Sequence, residues 1–391
     1  MNRIAVNIFD AARTRFSPGL LDLEGDRVLS VSGDRRSDGG QLYVAPGFID
    51  SHAHVYPGVT DLGICADDIG IKHGVHLIVD AGSAGAVTLP CFRDVLVPML
   101  DTEVKALLHI SKAGFVTKQP YVDPRLMDVD MAVDCMRENK KGFLLGIKVA
   151  SSGAIVEKAG TEPIRLAAEA AERAGCILVA HYGEGPPTNE ECMAFMRGGD
   201  VMTHIFHGPF NLAATIRANR GRPVDTRWSS LPNLMWNPDG SPIPPLEQAL
   251  KRGVRLDVGH GAASFCLPVA AAVIRSGFRD FSISTDLHVR NVNGAVRGMP
   301  ETMSKFLSLG MTLAEVVAGV TSIAARNLGL ANWCEDLARR ATIFRVRRPR
   351  PDDMPLVDSY GTVMEVGERI EPVAVVRGGV LTPLAADWLG V

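Results

Sequence analysis

Asp50-Ser51-His52-Ala53-His54 closes the apolar run Val44 to Ile49. In a β-strand, residues i and i+2 project from the same face, so both imidazoles can converge on one ion where the strand ends. Histidine is the commonest metal ligand, and this placement has the geometry of a metal site. A chain with ten histidines also produces such a pair by chance, and two surface histidines in a turn are the plain alternative. The remainder of the chain decides between them.

Short apolar runs rich in β-branched residues recur between helical patterns: Val44 to Ile49, His76 to Val79, Val104 to Ile110, Phe143 to Val149, Ile177 to Ala180, Val201 to Ile205, Val254 to Val258 and Phe281 to Ser284. Continuous apolar strands alternating with amphipathic helices require a parallel sheet covered on its outside, and eight such units close into a (β/α)8 TIM-like barrel. Thr312 followed by Glu315 is a capping box ahead of the run to Leu330, and Thr161-Glu162-Pro163 opens a helix over Ile164 to Ala174 that Gly175 stops. Two flanks remain, residues 1–45 and 335–391. Their short alternating segments and turns at Gly25-Asp26, Gly39-Gly40 and Gly378-Gly379 predict one small β-sandwich domain built from both chain ends, with the barrel over 46–334. Pro209 to Pro245, between the sixth and seventh strands, is long enough to be a lid or binding loop, with Leu212 to Asn219 a helical stretch within it.

Composition narrows the function. The 391 residues are 46% hydrophobic and 22% charged with a net charge of −3, an ordinary globular balance with no basic footprint for nucleic acid. No segment approaches the roughly 20 apolar residues of a membrane span, and Asp10 and Arg13 interrupt what a signal peptide would need, so the cytoplasm is the expected location. Seven scattered cysteines without a C-x-x-C pair indicate neither a disulfide framework nor a thiolate zinc site. Any metal rests on histidine, carboxylate or a modified lysine.

Barrels of this type do chemistry at the carboxyl ends of their strands. Strand one delivers His52 and His54 there, strand four Lys148, strand five His181, strand six His204 and strand eight Asp286. Taken singly, His181 and His204 read as hydrogen-bonded core histidines and Asp286 as a helix cap. Five strands placing such groups together argue otherwise. Lys148 stands inside an apolar strand, where burial disfavours the ammonium, and a neutral amine reacts with carbon dioxide to give a carbamate, an anionic oxygen ligand able to bridge two cations. A snorkelling or salt-bridged lysine is the alternative.

The phrases APGFIDSHAH (45–54), VDAGSAGA (79–86), GIKV (146–149), AHYGEGPP (180–187), GGDVMTHIFHG (198–208), LDVGHGAASF (256–265), SISTDLH (282–288) and SKFLSLGM (304–311) span the whole barrel. Together with the order HxH, Lys, His, His, Asp they resemble the binuclear amidohydrolase superfamily, in its deacetylase-like, dihydroorotase-like subgroup. The chain departs from that pattern at His207, where an Asn is usual, and in a longer loop before LDVGHG. The resemblance implies two divalent metal ions, zinc, with His52 and His54 on one, His181 and His204 on the other, carboxylated Lys148 bridging and Asp286 completing the first site. It further implies attack of a metal-bridging hydroxide on an amide or ester carbonyl of a small carboxylated substrate, with Asp286 as general base and then acid. Opening of a cyclic amide is the near alternative; a one-metal deaminase and a non-catalytic barrel are the others. His207, His260, His288 and Arg290 are candidate substrate contacts, Arg297 and Lys305 further carboxylate anchors, and His73, His76 and His109 structural. Gly82-Ser83-Ala84-Gly85 is either an anion seat or a plain tight turn. The expected partners are a small molecule and further copies of the chain.

Overall fold

The structure, a computed structural model, describes residues 2–34, 38–139, 142–208 and 234–388. Seven parallel strands form one sheet: β5 (Phe48–Ala53), β6 (Val75–Gly85), β7 (Glu103–His109), β8 (Leu144–Ala150), β9 (Ile177–His181), β10 (Val201–Thr203) and β11 (Arg255–Leu256), each beside its neighbour in sequence. The eighth segment, Phe281 to Leu287, closes the ring through isolated parallel bridges, Asp257 to Ser282 on one side and Ala53 to Leu287 on the other. The amides of Val258 and His260 donate to Ser282 O (2.9 Å) and Ser284 O (3.1 Å), and Asp286 N donates to His52 O (2.6 Å). The (β/α)8 barrel read from the apolar runs is therefore the architecture. An apolar layer of Ile49, Leu77, Val79, Leu107, Val179 and Val201, backed by Ala324, Leu328 and Trp333, fills its amino-terminal end, so only the other end can hold chemistry.

The chain ends build the second domain. β1 (Asn2–Asp10), β2 (Arg15–Glu24), β3 (Arg27–Gly33), β4 (Leu42–Pro46), β12 (Arg340–Arg347), β13 (Arg369–Arg377) and β14 (Val380–Pro383) form one sheet in the order β1-β2-β3-β14-β13-β12-β4, closed by parallel pairing of β4 with β1. Val6, Leu21, Val44, Ile343 and Val376 fill it.

The run Val44 to Ile49, read as a single barrel strand, is two strands in different sheets. Val44 pairs with Ile343 of β12, whereas Phe48 pairs with Val75 of β6. Gly47 is the switch: a side chain there would lie 2.5 Å from the His76 ring, and its carbonyl accepts Trp333 Nε1–H at 2.7 Å. Periodicity cannot register such a change of partner, because both halves are buried and apolar.

The predicted capping box and stop are in place, whereas Thr161, read as a helix start, precedes its helix without a side-chain cap bond. Thr312 and Glu315 cap Leu313–Gly319 reciprocally, and Gly175 (φ 67°) ends Glu162–Ala174 in a left-handed conformation. The run to Leu330, however, divides into Leu313–Gly319 and Ser322–Asn327. The carbonyls of Gly319 and Val320 turn away to accept Ile283 N (3.0 Å) and Ile49 N (2.8 Å), so barrel strands one and eight take the bonds that would have continued the helix. Most of the long loop, residues 209–233 with Leu212 to Asn219, lies outside the described residues. Its described end is anchored by Trp236 Nε1–H donating to Ile205 O at 2.8 Å.

Replacing Trp333 by Phe leaves the buried Gly47 carbonyl without its donor. Unfolding free energy should fall by about 1–3 kcal/mol in chemical denaturation; an unchanged midpoint would show that this bond does not hold the domain junction.

Candidate metal centre

Strand ends bring the predicted residues together. His52 Nε2 lies 3.5 Å and His54 Nε2 3.3 Å from the same Asp286 oxygen, Oδ1. Lys148 Nζ is 3.3 Å from His52 Nε2. The His204 ring stands 5.0 Å from that of His52 and 4.3 Å from that of His181, centroid to centroid. One ligand atom each from His52, His204 and Asp286 falls within a 4.8 Å sphere. Among the described residues, positive φ outside glycine occurs at Thr14, Glu157, His204 (67°) and Asp286 (49°). Two of these four belong to the cluster, which is where stored backbone strain is usually found.

A ring of partners fixes how each imidazole points. Asp257 accepts Ser51 Oγ (3.0 Å) and Ser282 Oγ (2.6 Å) on one oxygen, and Thr203 Oγ1 (2.7 Å) and Ser284 Oγ (2.7 Å) on the other. Because Thr203 spends its proton on the carboxylate, its oxygen must accept from His52 Nδ1 (3.0 Å), leaving the Nε2 lone pair facing the cluster. His204 Nδ1 lies 2.6 Å from Gly259 O, which can only accept, so its Nε2 is likewise unprotonated. That buried nitrogen has no hydrogen-bond partner among the described residues. An orphaned lone pair in a dry site is costly unless something electropositive meets it. His54 Nδ1 meets Ser83 Oγ at 3.0 Å, and Ser83 N donates to Asp80 at 2.7 Å. The Gly82-Ser83-Ala84-Gly85 stretch is thus neither anion seat nor free turn; it ends the fully buried β6 and orients a histidine. Gly82 (φ +85°) is required here, since a Cβ would lie 2.7 Å from Lys148 Cγ.

Burial sets the charges. It drives His52 down to about 3 and His181 well below its usual range, so both are neutral at pH 7, as ligands must be. Burial alone would raise Asp286, but the facing His52, His54 and His204 outweigh it and hold the carboxylate ionised. Lys148 is lowered to about 8 by burial, against the pull of Asp286, Asp257 and Asp80, which keeps a share of free amine at neutral pH. These donors, two oriented imidazole lone pairs beside an ionised carboxylate and a buried amine, fit divalent cations.

The remaining candidates are placed differently. His288 is beside the cluster, its ring 6.4 Å from His54, with Nδ1 accepting Arg290 N. His207 is buried beyond His204, 3.5 Å from Gly208 O through Nδ1. Arg290 is half-exposed and ion-paired with Asp61, and Arg297 pairs with Glu301. His260 and Lys305 are fully buried and bonded to each other, Nε2 to Nζ at 2.8 Å. His76 ties the domains through Nε2 to Ala341 O (3.0 Å), and His109 Nδ1 accepts Ser111 N (3.1 Å). Asp257, Thr203, Ser83 and Asp80 escaped sequence reading. Asp257 and Asp80 nevertheless sit at ends of apolar runs, and a carboxylate at a predicted barrel-strand end was the available signal.

A parallel barrel gathering imidazoles, an amine and a carboxylate at its carboxyl end defines a metal-dependent hydrolase. No family model matches the chain. It is 32% identical over 365 residues to a deacetylase from Agrobacterium fabrum, covering 92% of this chain and 84% of that one. To a deacetylase from Brucella anthropi it is 31% identical over 363 residues, covering 92% and 85%. Among solved structures, an adenine deaminase superposes with a TM-score of 0.81 at 27% identity over 97% of this chain and 98% of that one, and a dihydroorotase with 0.78 at 27% over 98% and 99%. The chain belongs to the amidohydrolase superfamily and is a hydrolase acting on carbon–nitrogen bonds.

Thr203→Val cuts the link from Asp257 to His52 while keeping volume. Metal affinity, measured by titration against a chromogenic chelator, should drop about 10- to 100-fold, the usual cost of losing a partner that orients a ligand.

Proposed function

We propose that this chain is a two-zinc deacylase that cleaves an amide or ester bond of a small carboxylated compound. The observation that carries the reading is the shared aim of His52 Nε2 and His54 Nε2 at Asp286, with the bare His204 Nε2 beside them. In it, His52, His54 and Asp286 would hold one metal and His181 and His204 the other, with Lys148, carboxylated on its partly neutral amine, as a ligand able to serve both. When bound, such a pair supplies a water of lowered pKa and polarises the substrate carbonyl. Asp286, held ionised beside His52 and His54, would accept the proton released as the water attacks and return it to the departing nitrogen or oxygen. His288 and His207 line the approach, and Arg290, exchanging Asp61 for substrate, meets its carboxylate. Deacetylase relatives spanning most of the chain support removal of an acyl group.

Ring opening of a cyclic amide is the second reading, favoured by the dihydroorotase superposition. The adenine deaminase superposes equally well, but a one-metal deaminase has no use for Lys148 at 3.3 Å from His52. A small-molecule substrate, self-association and a cytoplasmic setting complete the proposal. Among the described residues no helix is long and apolar enough to cross a membrane.

Zinc-loaded protein assayed on a panel of N-acetyl amino acids, O-acetyl hydroxy acids and cyclic imides, with metal counted per chain, tests the reading. Two metals per chain and deacylation of a carboxylated member are expected; one metal with ammonia release would replace it. Asp286→Asn should retain metal while turnover falls about 10²- to 10⁴-fold, the range for a lost general acid–base group. Lys148→Ala should abolish hydrolysis, with partial recovery on adding bicarbonate and a short-chain carboxylic acid; full activity in that variant would remove the bridge.

A further inference from the structure

Lys305 is a basic side chain buried away from the metal-site cluster. It lies on the helix Met299–Ser308, is 1% exposed, and among the described residues forms no ion pair. Its Nζ donates to His260 Nε2 at 2.8 Å and to Ala295 O at 2.6 Å. Burial lowers its pKa to about 7, against the pull of Glu301 and Asp358, so a basic amine is kept where its charge is costly, and that demands a return an apolar residue would not give.

Its two acceptors belong to the two loops that frame Asp286. His260 lies in the loop after β11, Ala295 in the loop after the eighth strand. His260 is held on every side: it stacks on Phe265 (4.4 Å, 13°), its amide donates to Ser284 O (3.1 Å), and its Nδ1 faces Gly261 O at 3.0 Å, so Nδ1 carries the proton and Nε2 must accept. With both nitrogens engaged and no exposed surface, His260 faces protein rather than substrate. The next residue, Gly261, has φ +57° and donates its amide to Thr285 O. A Cβ on Gly261 would stand 2.5 Å from Asp286 Oδ2, so the bare Gly261 backbone forms one wall of the carboxylate's seat.

We infer that Lys305 is a positioning residue for the reaction: acting through His260 and Gly261, it fixes the orientation of the Asp286 carboxylate. The chain of contacts runs Nζ to imidazole to the Gly261 backbone to Oδ2. No proton travels along it, since His260 Nδ1–H points to a carbonyl. Oδ1 faces His52 and His54, and Oδ2 is steered by this wall, which leaves one oxygen for the cation side and the other for proton transfer. The inference rests on the reading of Asp286 as general base.

Lys305→Met keeps the buried stem and removes the donor. With the fastest-hydrolysed N-acetyl amino acid of the panel as substrate, kcat should fall about 10- to 100-fold, the scale of a reacting group misplaced by about 1 Å, while KM and metal content stay within about threefold. His260→Gln should do the same, and the double variant should fall no further than the worse single one, because both act on one chain. Gly261→Ala presses on Oδ2 directly and supplies the test if Lys305→Met fails to fold. A crystal structure of Lys305→Met should show the Gly261 backbone and Asp286 carboxylate displaced, a readout independent of turnover. Multiplicative losses in the double variant, a loss confined to KM, or an unmoved Asp286 would overturn the inference. If Asp286→Asn itself kept turnover, the general-base reading would fall instead, whatever Lys305 does.

Discussion

The structure depends on one buried carboxylate. Asp257 collects hydroxyls from β5 (Ser51), β10 (Thr203) and the eighth strand (Ser282 and Ser284), so three strands of the barrel meet at its two oxygens. Burial raises its pKa, but the nearby His52 ring (Nδ1 at 3.8 Å) and the hydroxyls of Ser282 and Ser284 outweigh that and lower it to about 2, so it is a permanent charge within an apolar barrel. Such a charge is tolerable only when its acceptor sites are filled, and here the filling is also what closes the ring where the eighth segment lacks a regular ladder. Asp50 tends the adjoining seam, accepting the amide and hydroxyl of Thr285, although burial raises its pKa to about 7 despite these bonds.

The site inherits its orientation from this closure. Thr203 passes the polarity of Asp257 to His52, Ser83 stands between His54 and Asp80, and Gly259 fixes His204. His52 and His204 are each thereby given one protonated nitrogen facing protein and one lone pair facing inward, before any cation arrives. Preorganisation of this kind removes a cost that flexible histidines would meet on every binding event. The positive φ at His204 and Asp286 belongs with the same economy: strain is retained where the surrounding bonds over-determine the backbone.

The two domains are joined through the same strand that carries the histidines. β4 ends at Pro46 and β5 begins at Phe48, with Gly47 between them clasped by Trp333 and crowded by His76. Phe48 N reaches Thr342 Oγ1 at 3.3 Å, and that hydroxyl donates to Gly74 O at 2.7 Å. The small barrel therefore anchors the root of the strand whose tip offers His52 and His54, well away from the mouth where substrate must enter.

The amino-acid sequence by itself determined the barrel, because parallel strands buried on both faces must be continuously apolar, and it determined which polar residues gather at the mouth, because a polar residue ending such a run has nowhere else to go. It also carried the helix signals at Thr312, Glu315 and Gly175, which act over a single turn. Only the tertiary structure decided that Val44 and Phe48 serve different sheets, that the helix after Leu313 breaks at Gly319, and that Asp257, Ser83 and Lys305 stand behind His52, His54 and His260. Those outcomes depend on hydrogen bonds between residues as far apart as Ser51 and Asp257 or Gly47 and Trp333. Local pattern reports how a residue sits relative to its own strand or helix, whereas the partner of a buried polar group is chosen only when distant strands close around it.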